Sequence, residues 1–164
     1  MRETDRAGIT TSMHTKEYFM ERARMQACAA ARADEVPIGA VIVKDGVIVA
    51  RAHNMKEHYG CANEHAEIVA IRRACKKLGD WRLEGCDIYV TLEPCPMCAG
   101  ALIQARIEHI YFGAYDPKAG CCGSLYNLPQ DTRFNHRCAV EGGILQEQCA
   151  RILSDYFRSK RRKS

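Results

Sequence analysis

Two short clusters of histidine, glutamate and cysteine could bind a metal ion and perform acid–base chemistry. The first is His65-Ala66-Glu67, and the second is Pro94-Cys95-Pro96-Met97-Cys98. Thiolate and imidazole ligands at such spacing select Zn²⁺ over hard cations. One histidine and two cysteines leave the fourth position of a tetrahedral ion open for water, as catalytic zinc requires. Glu67 would then serve as the general base for that water without binding the metal.

Each cluster has an ordinary alternative when it is taken alone. A Cys-x-x-Cys pair can simply pack in a core, and a His-x-Glu sequence at a helix start can be a cap or a surface feature. A structural zinc site typically uses two Cys-x-x-Cys pairs, and this chain has one. The joint pattern therefore predicts a catalytic metal site.

Both clusters are predicted to lie at helix N-termini, where exposed N–H groups and the helix dipole favour thiolates. The first helix would follow His65 with an apolar face of Ile68, Ile71, Cys75 and Leu78, closed by Gly79-Asp80. The second would begin at Pro96 and run to about Arg106. A strand over residues 87–92 would separate them.

The remaining segments alternate between helical and strand patterns. A helix over residues 15–34 would bury Phe19, Ala23, Ala27 and Ala30, and Trp81 is predicted to be a core residue. Strands are predicted at residues 38–43, 47–54, 109–114 and near 138–140, with a turn at Lys44-Asp45-Gly46 and a last helix from about Leu145. This order predicts an α/β fold, a three-layer α/β/α sandwich with a mixed five-stranded sheet.

Composition is that of one globular domain. The 164 residues are 47% hydrophobic and 27% charged, and no apolar run approaches the roughly 20 residues that span a bilayer. Residues 1–14 are predicted to be a disordered extension and residues 15–164 a single domain. With no export signal, we expect a cytoplasmic protein, whose ten cysteines do not form a disulfide framework. Cys28, Cys75, Cys86 and Cys149 would be small buried hydrophobes.

Positive charge is concentrated at the C-terminus. Six basic residues and one acidic residue lie between Arg151 and Ser164, although the net charge of the whole chain is only +4. Such a segment on a nearly neutral body favours a polyanionic partner. The alternative is a solvated, frayed helix end.

The clusters resemble the signature of the zinc-dependent nucleobase deaminases, and more narrowly the bacterial tRNA-specific adenosine deaminases. The resemblance runs from about Tyr18 to Arg162. Besides the two clusters, it includes residues 34–41, 91–101, 112–120, 135–137 and 155–158.

The resemblance implies a cytidine-deaminase-like fold, a homodimer, and one Zn²⁺ per subunit held by His65, Cys95 and Cys98. It also implies hydrolytic deamination of adenosine to inosine at wobble position 34 of tRNA, releasing ammonia, with Glu67 transferring the protons. The partner would be an anticodon stem-loop, in particular that of a tRNA-Arg with adenosine at position 34.

The resemblance further implies a set of binding residues. The substrate would be bound by Asn54, Ala66, Asp116, Lys118 and His136. The tRNA phosphates would be contacted by Arg158, Lys160, Arg161 and Arg162. Alternatives remain open, since Asn54 could cap a turn, Asp116 and Lys118 could form a plain turn, and His136 could be structural.

One segment departs from the family pattern. Cys61-Ala62-Asn63-Glu64 stands where the family usually has Asp-Pro-Thr-Ala. Asn63 is expected to cap the following helix. Glu64 is expected to repel phosphate or to raise the pKa of Glu67, and Cys61 could add an adventitious metal ligand.

Two other functions remain possible. A deaminase of the same fold could act on a free base or nucleoside, such as guanine or cytosine, although such a substrate needs no phosphate-binding tail. A non-catalytic, zinc-stabilised RNA-binding module would have no use for Glu67.

Overall fold

The structure, a computed structural model, describes residues 3–4, 10–11 and 14–163. Most of the predicted extension over residues 1–14 lies outside the described residues. The described residues of this extension form two short strands, β1 (Glu3–Thr4) and β2 (Thr10–Thr11), which pair antiparallel.

The predicted order of helices and strands is confirmed. It is realised as α1 (Lys16–Arg32), β3 (Gly39–Lys44), β4 (Val47–His53), α3 (Ala66–Leu78), β5 (Cys86–Leu92), α4 (Pro96–Gln104), β6 (His109–Ala114), β7 (Ala139–Glu141) and α5 (Gln146–Lys163). Besides the strands β1 and β2 of the extension, which were not predicted either, the structure adds a helix α2 (Lys56–Tyr59) and a 3-10 turn at Leu128–Gln130. Each is a single turn, too short to show a hydrophobic period.

The mixed five-stranded sheet has the order β4-β3-β5-β6-β7. β3 pairs antiparallel with β4 and β5, whereas β5, β6 and β7 are parallel. The β3–β4 turn is tight because Asp45 and Gly46 both adopt positive φ, 51° and 77°. Since parallel strands need crossover connections, the links between β5, β6 and β7 carry the site loops.

The sheet separates two cores, as the predicted three-layer sandwich requires. On one face α3 and α4 pack against alternate strand residues such as Ile42, Ile88 and Phe112. On the other face α1 contacts the residues between them, such as Val41 and Tyr89. This alternation follows from the two-residue period of a strand.

The predicted apolar face of α3 is wrong. The residues buried against the sheet are Ala66, Val69, Ala70 and Ala74, together with Glu67. Ile68, Ile71, Cys75 and Leu78 are only partly buried. Small alanines bring the helix close to the sheet, and the larger side chains therefore lie on its outer flank.

Trp81 is also not a core residue, because its side chain is 55% exposed. It follows the left-handed cap Gly79 at the end of α3, and the guanidinium groups of Arg82 and Arg106 lie over its ring at 4.5 and 5.7 Å from the centroid. The ring borders an open apolar groove between α3 and α4, lined by Ile68, Ile71, Cys75, Ala101 and Ala105 among others.

Of the four cysteines expected to be buried, Cys86 and Cys149 are buried, whereas Cys28 and Cys75 are only partly so. Within the described part of the chain, no helix combines the length and the apolar character needed to cross a bilayer.

Candidate active site

The candidate site lies where several strand ends meet. β5 and β6 are parallel, so the residues that follow them, Glu93 to Cys95 and Tyr115 to Asp116, come to the same edge of the sheet. β4 is antiparallel to β3 and delivers Asn54 to that edge, where the backbone N–H of Asn54 donates to the carbonyl of Ile38. The carboxyl edge of such a sheet is the usual place for a ligand site.

Two helix N-termini place the predicted donors together. His65 is the N-cap of α3 and Cys95 the N-cap of α4, and neither side chain caps its helix. The His65 Nδ1 atom lies 3.6 Å from Cys95 Sγ and 3.5 Å from Cys98 Sγ. With all three donor atoms within 4.8 Å of one another, this group could hold a metal ion.

Hydrogen bonds among the three donors shift their pKa values in different directions. The pKa of Cys95 falls to about 4, because the Cys98 thiol and the His65 ring hydrogen-bond to its thiolate. The pKa of Cys98 is raised, because it is the donor to Cys95 and is buried. The pKa of His65 is raised by the same bond to Cys95.

Glu67 lies beside the donors and outside the donor group. Its side chain is 4% exposed, in the first turn of α3. Burial raises the pKa of Glu67 to about 7, a value that suits a group exchanging protons near neutral pH. A buried carboxylate with no ion pair is costly to the fold, and such groups cluster at functional sites.

A cavity of about 210 Å³ opens onto these residues. At roughly 30 Å³ for each water molecule, this volume corresponds to about seven waters, so the cavity can admit a small polar group. Its walls combine the polar groups with aliphatic surface from Val36, Ile38, Leu92 and Ala119. Ala66, predicted as a binding residue, also lines it and is fully buried.

Asn54 and Asp116 line the same cavity, and each is held by the backbone around it. The Asn54 amide donates to the Val36 carbonyl at 3.3 Å, and its oxygen accepts from the Lys56 N–H at 3.1 Å. Asp116 accepts from the N–H groups of Lys118 and Ala119. Both side chains thus cap turns and border the cavity, so the two interpretations are compatible.

Lys118 and His136 are not brought to the cavity lining. Lys118 is exposed beyond the turn that Asp116 caps. The His136 ring hydrogen-bonds to the carbonyl of Ile107 at 2.7 Å, just before β6 and thus at the opposite end of the sheet. This contact agrees with the alternative interpretation, in which His136 is a structural histidine.

Two buried carboxylates at the site were missed by sequence reasoning. Glu35 accepts from the N–H groups of Glu57 and His58, so it caps the short helix α2. Glu93 accepts from the N–H groups of Asp116, Cys122 and Ser124 and from the Ser124 hydroxyl. Although burial acts to raise the pKa of Glu93, these hydrogen bonds outweigh it and hold that pKa below its usual value.

A groove of about 810 Å³ continues from the cavity towards α5. The two spaces share Val36, Asn54 and Lys56, and the far wall of the groove is formed by Tyr156, Phe157 and Lys160. The cations predicted to contact phosphate are all exposed. Lys160 already forms an ion pair with Asp34, and Arg158 with Asp155.

Residues 61–64, which depart from the family pattern, do not take the roles that the sequence predicted for them. The N-cap of α3 is His65 rather than Asn63. Glu64 is mostly buried and forms an ion pair with Arg72. Cys61 is exposed and does not belong to the donor group.

Comparisons with known proteins agree with this geometry. The sequence model of the MafB19-like deaminase family matches residues 13–161. The tRNA-specific adenosine deaminase of Bacillus subtilis (strain 168) is 52% identical over 151 residues, which are 92% of this chain and 94% of the relative.

Two solved structures are also similar. One comes from a study of A-to-I editing by tRNA:A34 deaminases, with a TM-score of 0.81 and 45% identity over 84% of this chain and 100% of the other. Guanine deaminase from Bacillus subtilis has a TM-score of 0.60 and 42% identity over 62% of this chain and 66% of the other.

A mixed sheet with a His-Cys-Cys donor group and a buried glutamate at its carboxyl edge defines a nucleobase deaminase with the cytidine-deaminase-like fold. The 52% sequence identity to a tRNA-specific adenosine deaminase, which extends over 92% of this chain, narrows this class further. The chain belongs to the family of tRNA-specific adenosine deaminases.

Proposed function

We propose that this protein catalyses the hydrolytic deamination of adenosine to inosine at wobble position 34 of tRNA, with one Zn²⁺ per subunit. The observation that carries the proposal is the cavity lined by His65, Cys95 and the buried Glu67, with Cys98 completing the metal-donor group behind its wall. The adjoining groove to the basic helix α5 favours a nucleic acid over a free base.

Zinc fits the donor group. Zinc–sulfur and zinc–nitrogen bonds of about 2.3 and 2.0 Å at a tetrahedral angle separate the S and N atoms by roughly 3.5 Å. The corresponding distances from His65 Nδ1 are 3.6 Å to Cys95 Sγ and 3.5 Å to Cys98 Sγ. Bound there, the ion would act as a Lewis acid that makes water nucleophilic near neutral pH.

Glu67 would move the protons of the reaction. Its carboxylate accepts a proton from water as the oxygen adds to C6 of adenine, and delivers that proton to the ring nitrogen N1. Glu67 would then transfer the proton of the new C6 hydroxyl to the amino group, so that the C6–N bond breaks, ammonia leaves and a C6 carbonyl forms. The buried position of Glu67 keeps bulk solvent from competing for these protons.

The walls of the cavity would hold a base flipped out of the anticodon loop. Asn54 and Asp116 would contact the nucleotide, and Ala66 the base, because these residues line the cavity and their positions are fixed by backbone contacts. Lys118 and His136, implied as substrate contacts by the family resemblance, lie outside the cavity lining and would contact the tRNA only beyond the flipped base. The groove beside Lys56 would receive the flanking nucleotides.

The basic end of α5 would contact the tRNA phosphates through Arg158, Lys160, Arg161 and Arg162. We expect Arg161→Gln combined with Arg162→Gln to weaken stem-loop binding and to reduce the slope of log affinity against log salt by about 1.4, or about 0.7 for each lost contact to single-stranded RNA. The matched control is Lys76→Gln with Lys77→Gln, the adjacent cations in the last turn of α3, which runs away from the cavity. Fluorescence anisotropy from 50 to 200 mM salt measures both slopes.

Equal slopes in the two double variants would contradict the assignment of the α5 cations. Both pairs occupy the last turn of a helix, so the loss of favourable dipole interaction is matched. Any difference between them then reports phosphate contact.

A homodimer, implied by the resemblance, is supported by the apolar groove between α3 and α4. Ile71 lies in that groove beside the exposed Trp81. We expect Ile71→Lys to convert a dimer to a monomer in analytical ultracentrifugation, because a buried lysine in a self-complementary contact is unpaired. Val47→Lys, at a site 62% exposed on the β3–β4 hairpin, is the control that should leave the dimer intact.

Guanine deamination is the second candidate, supported by the 42% identity to the guanine deaminase over part of the chain. The deciding experiment offers an anticodon stem-loop of tRNA-Arg with adenosine at position 34, free guanine and free cytosine to the same enzyme. The proposal expects inosine from the stem-loop and no ammonia from either free base.

A tRNA substrate would also place the enzyme in the cytoplasm.

A further inference from the structure

Glu93 connects strand β5 to Pro94 and Cys95, the turn before α4 that carries a metal donor and that we term the donor turn. It follows β5 directly, precedes Pro94 and Cys95, and is 2% exposed. Its own N–H donates to the carbonyl of Ala114 at the end of β6. Its backbone therefore ties two neighbouring strand ends together at the site.

The carboxylate of Glu93 is the acceptor at the centre of one loop, residues 115–124, which we term the Asp116 loop. Oε1 accepts from the Asp116 N–H at 3.0 Å and from the Ser124 hydroxyl. Oε2 accepts from the N–H groups of Cys122 at 3.0 Å and Ser124 at 2.9 Å. Three backbone donors of a single loop thus depend on one buried side chain.

The Asp116 loop also closes tightly around that carboxylate. A Cβ atom at Gly120 would lie 2.3 Å from the carboxyl carbon of Glu93, so no larger residue fits there without displacement. Next to it, the N–H of Cys121 donates to the carbonyl of Pro94 at 2.8 Å. The loop is therefore attached to the donor turn through both the side chain of Glu93 and the backbone.

We propose that Glu93 is a positioning residue for the deamination reaction, which holds the Asp116 loop at a set distance from the metal donors. The inference rests on the proposed function. Asp116 and Ala119, which line one wall of the cavity, belong to this loop, whereas Cys95 lies two residues after Glu93. Glu93 also lines the cavity, but both of its carboxylate oxygens are engaged by Asp116, Cys122 and Ser124, so it would act through the loop that carries the nucleotide-binding wall.

The test is Glu93→Gln. An amide has one acceptor oxygen, so in either orientation at least one of the three backbone N–H groups loses its acceptor. We expect KM for the stem-loop to rise about tenfold or more with kcat within about threefold, because the wall moves while the reacting groups stay in place. Hydrogen exchange should accelerate in the Asp116 loop, and zinc should remain at one ion per chain.

Two controls separate this role from general damage. Glu35→Gln alters a second buried carboxylate and should accelerate exchange in residues 56–60 rather than in the Asp116 loop. Glu84→Gln, at an exposed turn position, should match the wild type.

Gly120→Ala is a second test of the same proposal. It keeps the carboxylate and displaces the loop, so it should raise KM as Glu93→Gln does. If Glu93→Gln does not fold, this variant tests whether the position of the loop sets KM.

Unchanged KM and unchanged exchange in Glu93→Gln would overturn the inference, as would unchanged KM in Gly120→Ala. Loss of zinc from Glu93→Gln would also overturn it, because the residue would then support the donors instead of the loop. If the wild type fails to deaminate the stem-loop, the proposed function fails. The exchange and zinc measurements would still test whether Glu93 holds the loop.

Discussion

Glu67→Gln is expected to lower inosine formation on the stem-loop by at least about 10³-fold, within the range attributed to general acid–base catalysis. The amide has nearly the same shape as the carboxyl group, yet it cannot accept the proton of water or pass it to the adenine ring. Zinc content should stay at one ion per chain, because Glu67 is not part of the donor group. Mass spectrometry of the nuclease-digested stem-loop measures the product, and atomic absorption measures the metal.

The fold should survive this substitution. Glu67 is buried without an ion pair, so a neutral amide removes a desolvation cost and the melting temperature should not fall. Glu64→Gln is the matched control, since its carboxylate lies three residues earlier on the chain, pairs with Arg72 and does not belong to the donor group. Inosine formation at the wild-type rate by Glu67→Gln would refute the catalytic assignment.

Cys98→Ser is expected to abolish both zinc binding and deamination. Cys98 is the fully buried donor, and serine is a hard ligand that binds zinc far more weakly than a thiolate. We expect less than about one tenth of an ion per chain and an activity loss of at least about 10³-fold. Because a bound ligand at 1,000 times its dissociation constant stabilises a fold by about 4 kcal/mol, the variant and the chelated wild type should both melt earlier.

Cys138→Ser is the control for removal of a buried thiol. Cys138 is 2% exposed, against 0% for Cys98, belongs to the hydrophobic core on the α3 and α4 side of the sheet and is not among the donors. It should keep stoichiometric zinc and activity, with only a modest loss of stability. Full zinc content in Cys98→Ser, or undiminished activity of a chelated wild type, would contradict the donor assignment.

The departing segment at residues 61–64 does not disturb the site in the way that its sequence suggests. A carboxylate beside a metal ligand was expected to oppose phosphate or to alter Glu67. In the fold, Glu64 is two residues before the helix, and its side chain, only 13% exposed, pairs with Arg72 about two turns along the chain. This ion pair neutralises the extra charge where a lone glutamate would repel an anionic substrate.

Much of this protein could be predicted from its sequence because the determining contacts are local. The Asp45-Gly46 turn, the Gly79 cap and the Pro96 helix start each depend on backbone preferences of one or two residues. The strand alternation on both faces of the sheet is equally local. The metal donors were recognisable for a different reason, since zinc chemistry restricts both the residue types and their placement at helix starts.

Tertiary structure alone decided which side chains meet across long stretches of chain. Alanines rather than isoleucines face the sheet from α3, because close approach of the helix depends on the strand surface opposite it. Trp81, just after the end of α3, is likewise exposed to solvent, and only the packing of the folded chain shows this. Glu93 and Glu35 carry no sequence signal of their role, because their partners are backbone N–H groups more than twenty residues away. A side chain that serves distant backbone can be identified only once the chain has folded around it, since hydrogen bonding to a main-chain amide places no demand on the identity of the partner residue.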